Sequence, residues 1–256
     1  MDEDQFKPLL RSWFESKGFN VTDIPTANHP TPDFRIGNQA EEFLVELKIK
    51  SDDPENLARD SEILASGHIL QRAVPLTRRN RLETIVEEGC AQMKSFDPEK
   101  QLLHFLWIHC VGRDARIHEE RFRMTLFGQQ TLLSMDGPSI LHAFYFLNST
   151  FWHCRNSLDG VFLSVGDNLR LCVNTLGVDE QRLRASQVFA AHSNALCDPR
   201  ALQQDPSILF VDGSVDRKNE SAVLDFLRAK YGLNHLQKFQ MGELSAAIAY
   251  RVEAEK

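Results

Sequence analysis

The segment from Thr31 to Lys50, TPDFRIGNQAEEFLVELKIK, constrains the fold more than any other part of the chain. Apolar and polar side chains alternate over residues 43–49, and this period of two predicts a strand. The alternation places Glu46 and Lys48 side by side on one face of that strand. Residues 34–36 alternate in the same way, so a second, shorter strand is expected before the Gly-Asn turn signal.

The length of the connection between these strands decides which residues face each other. With a longer loop over residues 37–42, the register carries Asp33 opposite Glu46. Opposed residues have Cβ atoms roughly 4.5–5.5 Å apart, which is close enough for two carboxylates to share one metal ion. A two-residue turn at Gly37-Asn38 would instead pair Asp33 with Glu42 and separate the two carboxylates.

Two carboxylates, the second of them two residues before a lysine, are the groups that metal-dependent phosphodiester cleavage needs. The carboxylates of Asp33 and Glu46 would hold a divalent cation, and the ammonium group of Lys48 would lie beside the attacked phosphate. The alternative is a surface hairpin on which Glu46 and Lys48 form an ordinary solvated face. The functional interpretation requires the longer loop.

The pattern Pro32-Asp33 followed by Glu46-Leu47-Lys48 resembles the signature of the PD-(D/E)XK nuclease superfamily, which has the restriction-endonuclease-like fold. The resemblance implies that Asp33, Glu46 and the Leu47 carbonyl bind Mg²⁺ or Mn²⁺. It also implies that Lys48 orients or activates the attacking water and stabilises the transition state. The implied activity is hydrolysis of phosphodiester bonds, with DNA favoured as substrate and endonuclease favoured over exonuclease action. The implied setting is prokaryotic restriction, repair or phage defence.

The resemblance covers about the first 110 residues and implies an α/β (α+β) fold with a mixed central sheet flanked by helices. The family core runs helix, three-stranded meander, helix and strand. The matching segments are a helix over residues 4–17, a strand over 19–22, the hairpin, a helix that starts at Asp53-Pro54, a helix over 81–93 and a buried strand over 102–110. Residues 51–72 are expected to be mostly helical, as an insertion that Pro75 breaks.

Residues 1–115 are therefore predicted to form the nuclease-like core, and residues 116–256 a C-terminal α/β elaboration. This second part is expected to extend the sheet or to form a second lobe. Its predicted strands cover 140–147, 160–165, 169–173, 208–211 and 246–252, and its predicted helices lie near 182–191 and 218–231. An aromatic group is expected in the core, with base stacking as the alternative; it comprises Phe144, Tyr145, Phe146, Phe151 and Trp152.

Two further residues are candidates for accessory roles by resemblance. Some members of the superfamily place a polar residue near the site on the helix that Gln92 occupies here, and some add a helical carboxylate to the metal shell, for which Glu15 is the match. The alternative for both residues is an ordinary position on the polar side of an amphipathic helix.

A cluster of arginines lies between the predicted helices that follow the hairpin, and it comprises Arg72, Arg78, Arg79 and Arg81. Such a cluster is suited to a phosphate backbone, and a solvated helix junction is the alternative. The formal net charge of −7 opposes indiscriminate nucleic-acid binding, because affinity for phosphates comes mostly from Lys and Arg. That charge favours the second functional hypothesis, a catalytically inactive protein on the same fold that serves as a binding, regulatory or immunity partner.

Composition and cysteine spacing indicate where in the cell the protein is expected. Of the 256 residues, 42% are hydrophobic and 25% charged, and no apolar run reaches the length of a membrane span. Five cysteines without Cys-x-x-Cys spacing are expected to be reduced thiols. We therefore expect a cytoplasmic protein without a membrane partner. Its expected partner is nucleic acid, and a homodimer or a separate protein partner is left open.

Overall fold

The computed structural model describes residues 2–25, 30–76, 80–239 and 245–250. The first half of the chain forms α1 (Glu3–Ser16), β1 (Asn20–Asp23), β2 (Phe34–Gly37), β3 (Glu42–Lys50), α2 (Pro54–Ala65), β4 (Leu70–Pro75), α3 (Asn80–Phe96) and β5 (Leu103–Cys110). The second half forms α4 (Ala115–Phe127), β6 (Gln130–Ser134), β7 (Ile140–Phe144), α5 (Thr150–His153), β8 (Gly160–Val165), β9 (Asn168–Val173), α6 (Glu180–Ala185), α7 (Gln187–Ala191), β10 (Leu196–Cys197), a 3₁₀ turn (Pro199–Leu202), β11 (Ile208–Phe210), α8 (Glu220–Tyr231), β12 (Leu236–Lys238) and β13 (Ser245–Tyr250).

Capping residues explain where the first helix begins and ends. A capping box begins α1: the Asp2 side chain accepts a hydrogen bond from the Gln5 backbone N–H at 2.9 Å, and the Gln5 side chain accepts one from the Asp2 N–H at 3.1 Å. Gly18, at φ +84°, follows the end of the helix, where a residue without Cβ adopts the left-handed conformation at low cost. The predicted first helix is confirmed, and the antiparallel meander of β1, β2 and β3 follows it.

A seven-stranded mixed sheet in the order β1-β2-β3-β5-β8-β9-β10 forms the centre of the molecule. The middle strands β3, β5 and β8 are parallel, and every residue of β5 is buried because helices or strands cover both faces of the sheet. The expected α/β class, with a mixed central sheet flanked by helices, is confirmed.

The two faces of the central sheet have separate hydrophobic cores. One core packs α1, α6 and α7 on the sheet, and Phe43, Val45 and Leu47 of β3 point into it. The other core packs α3, α4 and a second sheet, in the order β11-β7-β6-β12, against the opposite face. Gly89 allows α3 to approach the sheet closely, because a Cβ there would lie 2.3 Å from Leu106 Cδ2.

The second half of the chain contributes to both sheets. Strands β8 and β9 form the predicted hairpin, and with β10 they extend the central sheet, whereas β6, β7, β11 and β12 form the second one. Four of the five residues of the aromatic group lie in the core, as expected: Phe144, Tyr145, Phe146 and Phe151 are buried. The half-buried Trp152 ring stacks under the Arg217 guanidinium, whose Cζ lies 3.3 Å from the ring centroid.

The prediction that residues 51–72 are mostly helical is wrong beyond α2. The predicted helix start is confirmed, since the Asp53 side chain accepts hydrogen bonds from the N–H groups of Glu55 and Asn56. The chain then turns into β4, which pairs with β13 near the other end of the chain, and Arg72 pairs there with Ile248. Helical periodicity within the segment carries no information about so distant a partner strand.

Candidate active site

Strands β2 and β3 pair in the register that the longer connection predicts. Ile36 pairs with Phe43, so the continued register places Asp33 opposite Glu46. The connection is held by the side chain of Asn38, whose Oδ1 accepts the backbone N–H groups of Ala40 and Glu41. The register of the two-residue turn is therefore excluded.

Backbone hydrogen bonds fix both carboxylates of this pair. The Asp33 N–H donates to Glu46 Oε2 at 3.1 Å, and the Leu47 N–H donates to Asp33 Oδ2 at 2.9 Å. Each strand thus holds the carboxylate of the other. Glu46 is only 2% exposed, which excludes the alternative of an ordinary solvated face.

Each carboxylate also carries an ammonium group. Lys48 Nζ lies 2.5 Å from Glu46 Oε1, and Lys7 Nζ lies 2.9 Å from Asp33 Oδ1. Lys7 belongs to α1 and is absent from the sequence-based site. The spacing of Lys7 and Arg11 is the one signal that could have indicated it, because residues four apart share one face of a helix.

The carboxylate of Glu46 is costly to ionise. Its pKa is raised to about 7: burial raises it most, the charge of Asp33 adds to the effect of burial, and Lys48 opposes both. Burial disfavours the charged form of Lys48, but the hydrogen bond and charge of Glu46 outweigh burial, so its pKa is raised. The pKa of Lys7 is raised by its hydrogen bond to Asp33 despite partial burial. Carboxylates perturbed in this way are concentrated at functional sites.

These groups line a cleft of about 820 Å³ between α1 and the hairpin. The two accessory candidates lie in the same cleft: exposed Glu15 is on its α1 side, and half-buried Gln92 projects from α3. Gln92 Nε2 donates to the Thr31 carbonyl at 3.4 Å and so supports the segment that leads to Asp33. The lining contains six acidic and three basic side chains, and this excess of negative charge favours cations.

Of the four residues of the arginine cluster, the structure describes the side chain of Arg81. Arg78 and Arg79 lie outside the described residues, and of Arg72 only the backbone, in β4, is described. Arg81, in the first turn of α3, lines a second cleft of about 400 Å³ together with Lys50 at the end of β3. Strand β3 contributes to both clefts: Lys48 lines the cleft that contains Asp33 and Glu46, which we call the main cleft, and Lys50 lines the second cleft beside Arg81.

The donor atoms of the main cleft suit a hard divalent cation. Asp33 and Glu46 offer carboxylate oxygens. The N–H and C=O of a strand residue point to the same edge, so Leu47, whose N–H faces Asp33, directs its carbonyl to that edge as well. Oxygen donors are those that Mg²⁺ and Mn²⁺ prefer. Within the described ranges, no group of three or more His, Cys, Asp and Glu side chains is arranged to hold a metal.

No family model, curated protein or solved structure matches this chain. In the part of the chain that the structure describes, no helix has the length and apolar character needed to cross a membrane. The residues of the cleft and their contacts are therefore the basis for assigning a function.

Proposed function

We propose that this protein is a metal-dependent nuclease that hydrolyses phosphodiester bonds, with DNA as the favoured substrate. The observation that carries the proposal is the pair of carboxylates of Asp33 and Glu46, held on adjacent strands by reciprocal backbone hydrogen bonds. Lys48 lies beside them in the same cleft. The proposed setting is the cytoplasm of a prokaryote, in restriction, repair or phage defence, and endonuclease action is favoured.

The proposed roles follow from charge and position. Asp33, Glu46 and the Leu47 carbonyl would hold Mg²⁺ or Mn²⁺, which supplies Lewis-acid activation of the phosphate and of the attacking water. Lys48 is a protonated ammonium group because Glu46 raises its pKa. We therefore assign Lys48 to stabilising the negative charge that develops on the phosphate, rather than to removing a proton.

The charge of the cleft supports a requirement for a cation. With more acidic than basic side chains in its lining, the cleft by itself repels a phosphate backbone. A divalent cation would offset this excess and would also replace the internal partners of the carboxylates. Lys7 and Lys48 would then be available to phosphate oxygens.

The alternative function is a catalytically inactive binding, regulatory or immunity partner. The observation that favours it is that both carboxylates already have internal counter-ions, Lys7 for Asp33 and Lys48 for Glu46. Each carboxylate of such a site has a counter-ion without a metal. The two functions differ in whether Mn²⁺ competes successfully with the lysines.

Incubation of the protein with plasmid, linear and single-stranded DNA and with RNA, in Mg²⁺, Mn²⁺ or EDTA, tests the proposal. We expect metal-dependent cutting of circular plasmid, which separates endonuclease from exonuclease action. Asp33→Asn and Glu46→Gln should each reduce cutting by a factor on the order of 10²–10³. Glu42→Gln is the matched control, because Glu42 lies exposed on the same strand and pairs with Arg35.

Isothermal titration with Mn²⁺ separates the two functions. Binding by the parent and by Glu42→Gln, abolished in Glu46→Gln, supports the metal site. A parent protein that neither binds Mn²⁺ nor cuts any of the four substrates contradicts the nuclease proposal and favours the inactive partner.

A further inference from the structure

Two cysteines lie side by side at the edge of the central sheet, far along the chain from the candidate active site. Cys172 of β9 and Cys197 of β10 are register partners in a parallel pair of strands. Register partners on adjacent strands project to the same face, and adjacent strands are roughly 4.8 Å apart. That spacing falls within the Cα separations that a disulfide spans.

The two thiols differ in burial. Cys172 is fully buried, whereas Cys197 is half-buried on β10, a two-residue strand at the edge of the sheet. Both belong to the hydrophobic core on the α4 face. Cys197 is therefore the more exposed of the two residues, and it lies on a short strand at the edge of the sheet.

Charged neighbours activate the accessible thiol. The hydrogen bond with Cys172 lowers the pKa of Cys197 to about 7, against the effect of burial, with help from Arg170 and Arg123. Arg170 lies two residues before Cys172 and so projects from the same face of β9. It also pairs with Glu119 at 3.4 Å. The lowered pKa favours the thiolate of Cys197, which is the reactive form.

We propose that Cys172 and Cys197 are a peroxide-reactive pair that forms a reversible intramolecular disulfide. The Cys197 thiolate attacks one oxygen of the peroxide, the O–O bond breaks, and with one proton the products are a sulfenic acid and water. The Cys172 thiol then displaces the sulfenic hydroxyl, which leaves as a second water, and the S–S bond forms. Both sulfurs are oxidised and one peroxide is reduced to two waters. This chemistry is independent of the proposed hydrolysis.

The chain contains a matched comparison pair. Cys90 of α3 and Cys154, which follows α5, also share a hydrogen bond, but both are buried. The hydrogen bond with Cys154 and burial raise the pKa of Cys90 far above its usual value. Proximity without a stabilised thiolate should give slow oxidation. Comparing the oxidation rates of the two pairs therefore separates the effect of proximity from the effect of a stabilised thiolate.

Treatment of the reduced full-length protein with hydrogen peroxide at pH 7, followed by intact-mass and non-reducing peptide mapping, tests the proposal. We expect the loss of two hydrogen atoms and a Cys172–Cys197 link that forms at least about tenfold faster than any Cys90–Cys154 link. Dithiothreitol should reverse it. Cys172→Ser should stop at a sulfenic acid on Cys197 that a dimedone probe captures, and Cys197→Ser should remain unoxidised at Cys172.

Arg170→Met tests the source of activation. Without the Arg170 guanidinium, the pKa of Cys197 should rise and less of the thiol should be ionised at pH 7. A thiolate of higher pKa is a stronger nucleophile, which offsets part of this loss, so we expect oxidation of the variant to slow by about two- to fivefold. Formation of a Cys90–Cys154 disulfide before any Cys172–Cys197 disulfide would overturn the proposal. So would a parent protein that accumulates oxidised Cys197 without any link to Cys172.

Discussion

Replacing Glu46 by Gln should stabilise the metal-free protein at alkaline pH while removing the proposed activity. The pKa of Glu46 is about 7 in the folded protein and 4.5 for an ordinary glutamate. A raised pKa in the folded state means that this state holds the proton more tightly than the unfolded chain. The contribution of the protonated group to stability is therefore complete below pH 4.5 and is lost as the pH rises through 7.

The magnitude follows from about 1.4 kcal/mol for each unit by which the two pKa values differ. Relative to its value at low pH, the stability of the folded protein falls by about 3 kcal/mol at pH 8, where Glu46 is ionised in both states. At pH 5 it falls by about 1 kcal/mol, because there the group ionises mainly in the unfolded chain. Glutamine has a similar shape and does not titrate. The free energy of unfolding of Glu46→Gln relative to the parent should thus rise by roughly 2 kcal/mol between pH 5 and pH 8.

Urea unfolding in EDTA at pH 5, 6, 7 and 8, followed by tryptophan fluorescence, measures this difference. Glu42→Gln is the control, because its exposed carboxylate pairs with Arg35 on the surface, and its difference from the parent should stay nearly flat. Mn²⁺ at pH 8 should stabilise the parent but not Glu46→Gln, since a ligand stabilises only the protein that binds it. A parent-to-Gln difference that is constant from pH 5 to pH 8 would refute the assignment of a costly buried charge.

The other predictions concern the two lysines of the cleft and the arginine cluster. Lys48→Ala should leave Mn²⁺ affinity equal or slightly higher while cutting slows by a factor on the order of 10²–10³, and a variant that cuts at the parent rate would show that the lysine has no role in catalysis. Lys7→Met should raise Mn²⁺ affinity about two- to fivefold in a calorimetric titration, because a competing ammonium group is gone; weaker binding would contradict this. Combined Ala replacement of Arg78, Arg79 and Arg81 should lower the slope of log affinity against log salt by about one unit for each arginine that binds a phosphate, and an unchanged slope would indicate a solvated junction.

Patterns within one segment predicted local structure well. The alternation in β3 identified both faces: Phe43 and Val45 point into one core, and Leu44 into the other. The sequence Asp53-Pro54 located the start of α2, because a capping side chain and a fixed φ act within one turn. The register of the hairpin could also be predicted, since only two loop lengths were in competition.

Features that depend on distant partners could not be predicted in this way. Strand β4 exists as the partner of β13, which lies about 170 residues later, and its own residues continue a helical pattern. Helix α4 was not identified because its buried side includes His118 and Glu119, which interrupt the apolar stripe. His118 instead pairs with Asp52 at 3.0 Å, a contact between residues 66 positions apart.

The same limit explains why Lys7 was missing from the predicted site. The strand pattern identified Asp33, Glu46 and Lys48 because all three lie on one hairpin, whose geometry follows from its own residues. Lys7 reaches Asp33 only because α1 packs across the sheet, and that packing is set by Phe14 and the rest of the hydrophobic core. The net charge of −7 was likewise a poor guide to the site, since each carboxylate of the pair has its own lysine. The relevant electrostatic question is local: whether a divalent cation or two ammonium groups neutralise this carboxylate pair, and Mn²⁺ titration of the parent and of Lys7→Met answers it.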